Sequence, residues 1–161
     1  MSTIYLVSGQ IGSGKTTFSK NLEEKTGAVR FSPDEWIIKL HPQEIRREEF
    51  DHIFFTCCDI AWKLAKKLAG KGIDIILDFG FWNKELRDGY IKKIVDHGWE
   101  YKLYYVYCQE EVIKERLRKR NKNLPEDCFS ISEDDFAFFA PGFQPPSDEE
   151  KFDLVDNSQS K

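Results

Sequence analysis

The residues with the clearest chemical potential lie near the start of the chain, in Gly9-Gln10-Ile11-Gly12-Ser13-Gly14-Lys15-Thr16-Thr17. The run from Gly9 to Thr16 fits G-x-x-x-x-G-K-[ST] without a mismatch. Gly9, Gly12 and Gly14 let the main chain turn tightly and aim successive N–H groups inward, making a cradle for phosphate oxygens. A helix opening at Lys15 adds the positive end of its dipole. Lys15 is expected to reach the β- and γ-phosphates of a nucleotide, and the Thr16 hydroxyl to bind Mg²⁺. Gln10, Ile11, Ser13 and Thr17 complete the expected cradle, with ATP and Mg²⁺ as its ligands.

A phosphate held there can be transferred, hydrolysed or simply bound. Transfer requires positioned Mg²⁺, cations that follow the γ-phosphoryl group, and a carboxylate to orient or deprotonate the acceptor. Phe31-Ser-Pro-Asp-Glu-Trp supplies a carboxylate at the end of a second strand. Asp34 is the candidate general base, with Glu35 in reserve and Trp36 beside them at the acceptor. The same residues also read as a helix start, with Ser32 as cap, Pro33 in the first position and two acids complementing the dipole. Both readings can hold together.

Ile75-Ile-Leu-Asp-Phe-Gly-Phe-Trp places Asp78 at the end of an apolar strand. A Mg²⁺-contacting acid would sit there, and a carboxylate in such a strand is costly unless paired. Phe81 and Trp82 could wall an acceptor pocket, although such aromatics are as often core. Arg87 reaches the same rim if its helix folds back. In Glu115-Arg-Leu-Arg-Lys-Arg-Asn, Arg116 and Arg120 share a helix face and could close over phosphates as a lid. Cations complementing a helix C-terminus are the competing explanation. Arg118 points elsewhere and reads as a surface charge.

Positioning these groups requires strands that end on one rim. Ile4–Ser8, Ala28–Ser32, Ile73–Phe79 and Tyr101–Cys108 read as strands, and residues 152–155 as a fifth. Between them run helical patterns at 15–25, 43–68, 84–96, 110–121 and 132–140, several closed by glycine. Strand–helix alternation predicts a three-layer α/β fold around a parallel five-stranded sheet, with ligands at the carboxyl ends of the strands. The 161 residues suit a single domain spanning 1–161, with a segment at about 116–146 available as a lid.

The composition, 40% hydrophobic and 32% charged with 13 Phe and 4 Trp, is that of a folded domain. A net charge of -4 disfavours a dedicated nucleic-acid binder, without excluding a local basic groove. No apolar stretch approaches the roughly 18 residues of a membrane span, and no export pattern opens the chain. The expected location is therefore cytoplasmic, as a monomer or homodimer, with reduced thiols at Cys57, Cys58, Cys108 and Cys128. Scattered histidines disfavour a metal site made by protein ligands alone.

Taken together, G-x-x-G-S-G-K-T, the S-x-D-E-W step, L-D-F-G-F-W with Arg87, R-L-R-K-R-N and the late Phe143–Pro146 segment resemble P-loop kinases of the AAA_33 type. That group is similar to polynucleotide 5′-hydroxyl kinases, chloramphenicol phosphotransferase and zeta-toxin kinases. The resemblance implies sheet order 2-3-1-4-5 and an ATP-dependent phosphotransferase, with Asp34 as general base and Arg116 and Arg120 in the lid. Polynucleotide kinases pair their acid with an arginine one helical turn on. Trp36, Ile37 and Ile38 occupy that neighbourhood here, with Lys39 a partial substitute, which weakens that variant. A hydroxyl-bearing small molecule is the expected acceptor. A polynucleotide or nucleoside 5′-hydroxyl kinase, a toxin-like kinase acting on a nucleotide sugar, and a nucleotide-hydrolysing switch are the alternatives. Against the switch, Asn121-Lys-Asn-Leu fails the guanine-selecting N-K-x-D pattern, and Asp78-Phe-Gly-Phe is no D-x-x-G. The D-F-G spelling has no accompanying H-R-D loop and is a coincidence.

Overall fold

Strands, two of them buried along almost their whole length, alternate with helices in a computed structural model that describes residues 1–41 and 45–159. The strands are β1 (Thr3–Gly9), β2 (Val29–Phe31), β3 (Ile75–Gly80), β4 (Glu100–Tyr107) and β5 (Asp153–Asp156). The helices are α1 (Lys15–Thr26), α2 (Pro33–Leu40), α3 (Arg47–Ala69), α4 (Lys84–Asp96), α5 (Glu110–Lys122) and α6 (Glu133–Phe139), with a 3₁₀ turn at Ala140–Gly142. All pairings are parallel, in the expected order β2-β3-β1-β4-β5.

Boundaries differ from the sequence expectation by one or two residues, except for the helix expected at 43–68. It begins at Arg47, and positions 43 and 44 lie outside the described residues. Ser32 occupies the α2 cap position with Pro33 following, but its side chain makes no capping bond. Ser132 does cap, in a reciprocal box with Asp135. Adjacent Cys57 and Cys58 of α3 are both buried, Cys58 in the core against the sheet, and all four thiols are free.

One face of the sheet carries the main core: Ile4, Leu6, Ile75, Leu77 and Leu103 meet Ala61, Trp62 and Ala65 of α3 and Tyr90 and Ile94 of α4. A smaller core under the C-terminal helices joins Cys108, Ile113, Leu117 and Phe136, with Ile11 of the phosphate loop packed against it. The register slips between β1 and β3 so that Ser8 pairs with Gly80. The slip aligns the start of the phosphate loop with the end of β3 on one rim.

Two residues expected at the acceptor belong to this framework. Phe81 is fully buried, packed on Phe79 and Tyr90 with ring centroids 5.7 and 5.4 Å away. Its φ of 45° is strained for a side chain of that size, and Ser8 Oγ donates to its carbonyl at 3.1 Å. Arg87 is also fully buried. It donates through Nε and Nη2 to Glu150 at 2.6 and 2.9 Å, and through Nη1 to the carbonyls of Phe81 and Gln144. Arg87 therefore joins the residue 144–150 segment to the sheet, and neither it nor Phe81 lines an open pocket. A charge so enclosed tolerates no missing partner. Glu150→Ala should lower stability by about 3–5 kcal/mol in urea denaturation, the scale for breaking a buried pair.

Candidate nucleotide and acceptor site

The phosphate loop leaves β1 and enters α1 through two left-handed glycines, Gly12 at φ 76° and Gly14 at φ 97°. Gly14 is the residue that precedes α1, so the free N–H groups of the first helical turn open at the loop. The lysine side chain curls back, with Lys15 Nζ donating to the Gln10 carbonyl at 2.9 Å. Ile11 anchors the loop from below in the small C-terminal core. A Cβ on Gly12 would lie 2.8 Å from Ile113 of α5, so the loop is seated directly on that helix.

Across the rim lie the carboxylates. Asp78 is buried at the end of β3, where Arg30 Nη1 from β2 donates to it at 3.0 Å. Arg30 Nη2 donates to Glu35 at 2.6 Å, and the Arg30 side chain is itself 7% exposed. Burial pushes the Asp78 carboxyl up, while the Arg30 and Lys15 charges pull it down. Ser19 of α1 lies near enough to add to that pull, although its hydroxyl lacks hydrogen-bond geometry.

Among the described residues Asp34 has no such partner. It carries accessible surface, yet crowding by protein atoms is the main cause that lifts its pKa to about 6, helped by the Asp78 and Glu35 charges and opposed by Lys15. Asp34 is thus exposed to water on one side and crowded by protein on the others. Lys15 feels the same cluster. Burial pushes its ammonium down, Asp78 and Asp34 hold it up, and the Arg120 charge lowers it further.

The paired arginines of α5 separate. Arg120 has its charge close to Lys15 and donates from Nη2 to the Phe129 carbonyl at 2.9 Å. Arg116 turns to the C-terminal segment, donating to Cys108 Sγ at 3.4 Å and to the Gln159 carbonyl at 3.1 Å. Arg118 pairs with Glu133 on the surface, as expected. Trp36 is half-buried with its ring edge-on to Phe31. Trp82 is half-buried against Phe143, and its indole lies 3.0 Å from where a Gly80 side chain would begin. Thr16 is half-buried and Thr17 exposed in the first turn of α1.

Sequence reasoning missed Arg30, whose signal was a lone cation in a short β-branched and aromatic strand. It also missed Asn157, for which no local signal exists. Among the described residues, four buried side-chain polar atoms lack hydrogen-bond partners: Ser13 Oγ, Ser19 Oγ, Arg30 Nε and Arg120 Nε. All four belong to the phosphate loop, the Asp78 surroundings or the arginine facing Lys15. Such a concentration of unmet donors beside a left-handed glycine pair fits a polyphosphate. Thr16 and Asp78 offer hard oxygen donors on the same rim, a set that fits Mg²⁺ completed by water and phosphate.

Two outcomes follow from this geometry. A Cβ at Gly14 would stand 2.1 Å from Asn157 Nδ2 as well as requiring φ 97°. Gly14→Ala should therefore abolish nucleotide binding in calorimetric titration while the sheet still folds. Asp34 has a folded pKa above its unfolded value, so the stability it contributes is full below about pH 4 and lost as pH rises through 6. Asp34→Asn should accordingly raise the thermal midpoint at pH 7.5, and this gain should vanish near pH 4.

Residues 4–146 match the sequence profile of the AAA_33 family, described as an AAA domain. No curated protein matches the chain significantly. Among solved structures, a candidate kinase from Chloroflexus aurantiacus superposes with TM-score 0.77 at 19% identity, over 98% of this chain and 89% of that one. A gluconokinase from Sinorhizobium meliloti superposes with TM-score 0.63 at 16% identity, over 99% and 84%. Kti12 from Chaetomium thermophilum, in complex with ADP-AlF3, does so with TM-score 0.67 at 15% identity, over 96% and 88%. These likenesses establish the shared fold, and the match across most of the chain, phosphate loop included, makes this protein a member of the AAA_33 family of AAA domains.

Proposed function

We propose that the protein is a kinase that moves the γ-phosphoryl group of ATP to a hydroxyl of a small-molecule acceptor, in one domain spanning residues 1–161. The observation that carries this reading is the electrostatic coupling of the phosphate-loop lysine Lys15 with Asp34, a carboxylate of raised pKa that makes no ion pair among the described residues. A hydrolytic switch has no need of a base poised on the acceptor side of the loop. Among the structural neighbours, a gluconokinase supports the same reading and an ADP-AlF3 complex supports nucleotide binding.

In this scheme the N–H groups of residues 12–16 and the Lys15 ammonium hold the β- and γ-phosphates in line with the acceptor. Asp34 takes the proton of the acceptor hydroxyl as its oxygen bonds to the γ-phosphorus. The bond from phosphorus to the bridging oxygen breaks, and ADP leaves with the electron pair. Arg120 follows the charge on the transferred group. Mg²⁺, held by Thr16 and Asp78, would neutralise charge on the phosphate oxygens. Arg30 keeps Asp78 and Glu35 in place, and Glu35 and Trp36 border the acceptor with Trp82 across the rim.

The segment after α5 leans toward the acceptor side. Asp127 accepts from Lys20 of α1 at 2.6 Å, Phe129 packs edge-on to Phe50 of α3 at 5.7 Å, and Asp135 pairs with Arg47. These contacts support a lid over residues 116–146 that encloses the acceptor. The net charge of -4 continues to favour a small molecule over nucleic acid. Among the described residues no helix is long and apolar enough to cross a membrane.

Purified protein with ATP and Mg²⁺ should show phosphate transfer that depends on the acceptor, across a panel of sugars, small alcohols and a 5′-hydroxyl oligonucleotide. Asp34→Asn should reduce it by about 10²–10⁴-fold. Because the base must be ionised, kcat/KM should rise through about pH 6 and then level. ATP hydrolysis indifferent to both acceptor and Asp34 would overturn the kinase reading.

A further inference from the structure

We infer that Asn157, at the end of the last strand, is a positioning residue of the nucleotide site that sets the direction of one phosphate-binding N–H. Its side chain reaches across the sheet edge, and Asn157 Nδ2 donates to the carbonyl of Ser13 at 2.8 Å, 144 positions away in the chain. In a trans peptide the C=O and the following N–H point in opposite directions. Holding the Ser13 carbonyl toward Asn157 therefore turns the Gly14 N–H to the other side, into the cradle. A loop free to rotate that peptide would present an oxygen to phosphate instead of a donor.

The main chain of the residue is itself held at both its N–H and its carbonyl. Its N–H donates to the Tyr107 carbonyl at 2.8 Å, and its carbonyl accepts from Cys108 Sγ at 3.5 Å. Next to it, Ser158 Oγ accepts from the N–H of Gln109, just before α5, at 3.0 Å. Arg116 of α5 then donates to the Gln159 carbonyl. The tail thus has a fixed geometry relative to β4, which pairs with β1, and to α5, on which the loop is seated. The contact also adds to the demand for glycine at 14, since any Cβ there would collide with the Asn157 amide. Asn157 lies beyond the 4–146 region that matches the family, so this support is supplied by a part of the chain outside that match.

The inference needs a nucleotide-binding loop and does not need the kinase reading. Wild-type protein that binds ADP but transfers nothing would sink the kinase proposal alone. The test is Asn157→Asp, which keeps the shape and replaces the donor by an acceptor, so that Ser13 loses its partner. Three quantities are measured in Mg²⁺-free buffer: ADP affinity by calorimetry, amide exchange across residues 12–16 without nucleotide, and the thermal midpoint. The expected result is an ADP Kd raised by about tenfold, the scale of one lost hydrogen bond at a charged ligand. Exchange in the loop should quicken, with the thermal midpoint close to wild type. Affinity within about twofold of wild type with unchanged exchange would overturn the inference. Should the Asp variant fail to fold, Asn157→Ala is judged by the same two criteria.

Discussion

A carboxylate at the end of a buried strand is tolerable only with a cation against it, and the Arg30–Asp78 pair meets that need. Much of the acidic side of the site depends on this pair. It ties β2 to β3 through side chains as well as through the sheet, and the second Arg30 nitrogen draws Glu35 to the same point. Asp34, one residue before Glu35, is left without a partner among these charges. Crowding by protein atoms raises its pKa most, the Asp78 and Glu35 charges add to the rise, and only Lys15 opposes it. Removing two ions from water rarely improves stability over an apolar pair, so the retention of this one is more readily understood through what it positions.

The basic side is organised by main-chain geometry more than by charge. The phosphate loop is held between α5, which fills the space beneath Gly12, and the tail after β5, which reaches Ser13. Lys15 rests on the Gln10 carbonyl within the loop itself. A cradle supported from both sides loses less entropy when a ligand arrives, which is the physical basis of preorganisation. The last strand and its tail thus serve the site as well as the fold. The segment before them contributes Glu150, which closes the buried contact with Arg87.

Aromatic residues divide between two tasks that their sequence positions do not reveal. Phe79 and Phe81 stack 5.7 Å apart in the core, beneath the strained turn that follows β3. Trp82, one residue on, is half-buried with its indole against Gly80. Alternation along β3 puts Ile75, Leu77, Phe79 and Phe81 on one face, and all four lie in the main core. The left-handed backbone at Gly80 and Phe81 ends the strand there, and a positive φ at a phenylalanine is not readable from composition.

Local chemistry carried the sequence far. The glycine-lysine-threonine spacing determined the phosphate loop, since few other residues permit that backbone. Apolar strands alternating with helices determined a parallel sheet, because covered strands and amphipathic helices allow few other packings. Capping at Ser132 and helix ends at glycine were legible for the same reason: each depends on residues within one turn. What needed the tertiary structure was every relation across the chain. Arg87 looked like a rim cation until Glu150, 63 positions on, enclosed it. Arg116 and Arg120 share a helix face, yet one meets the C-terminal tail and the other lies near Lys15. Arg30 and Asn157 escaped notice because their partners are 48 and 144 residues distant. Sequence spacing governs which backbone can form, whereas burial and pairing depend on what the fold brings opposite each charge.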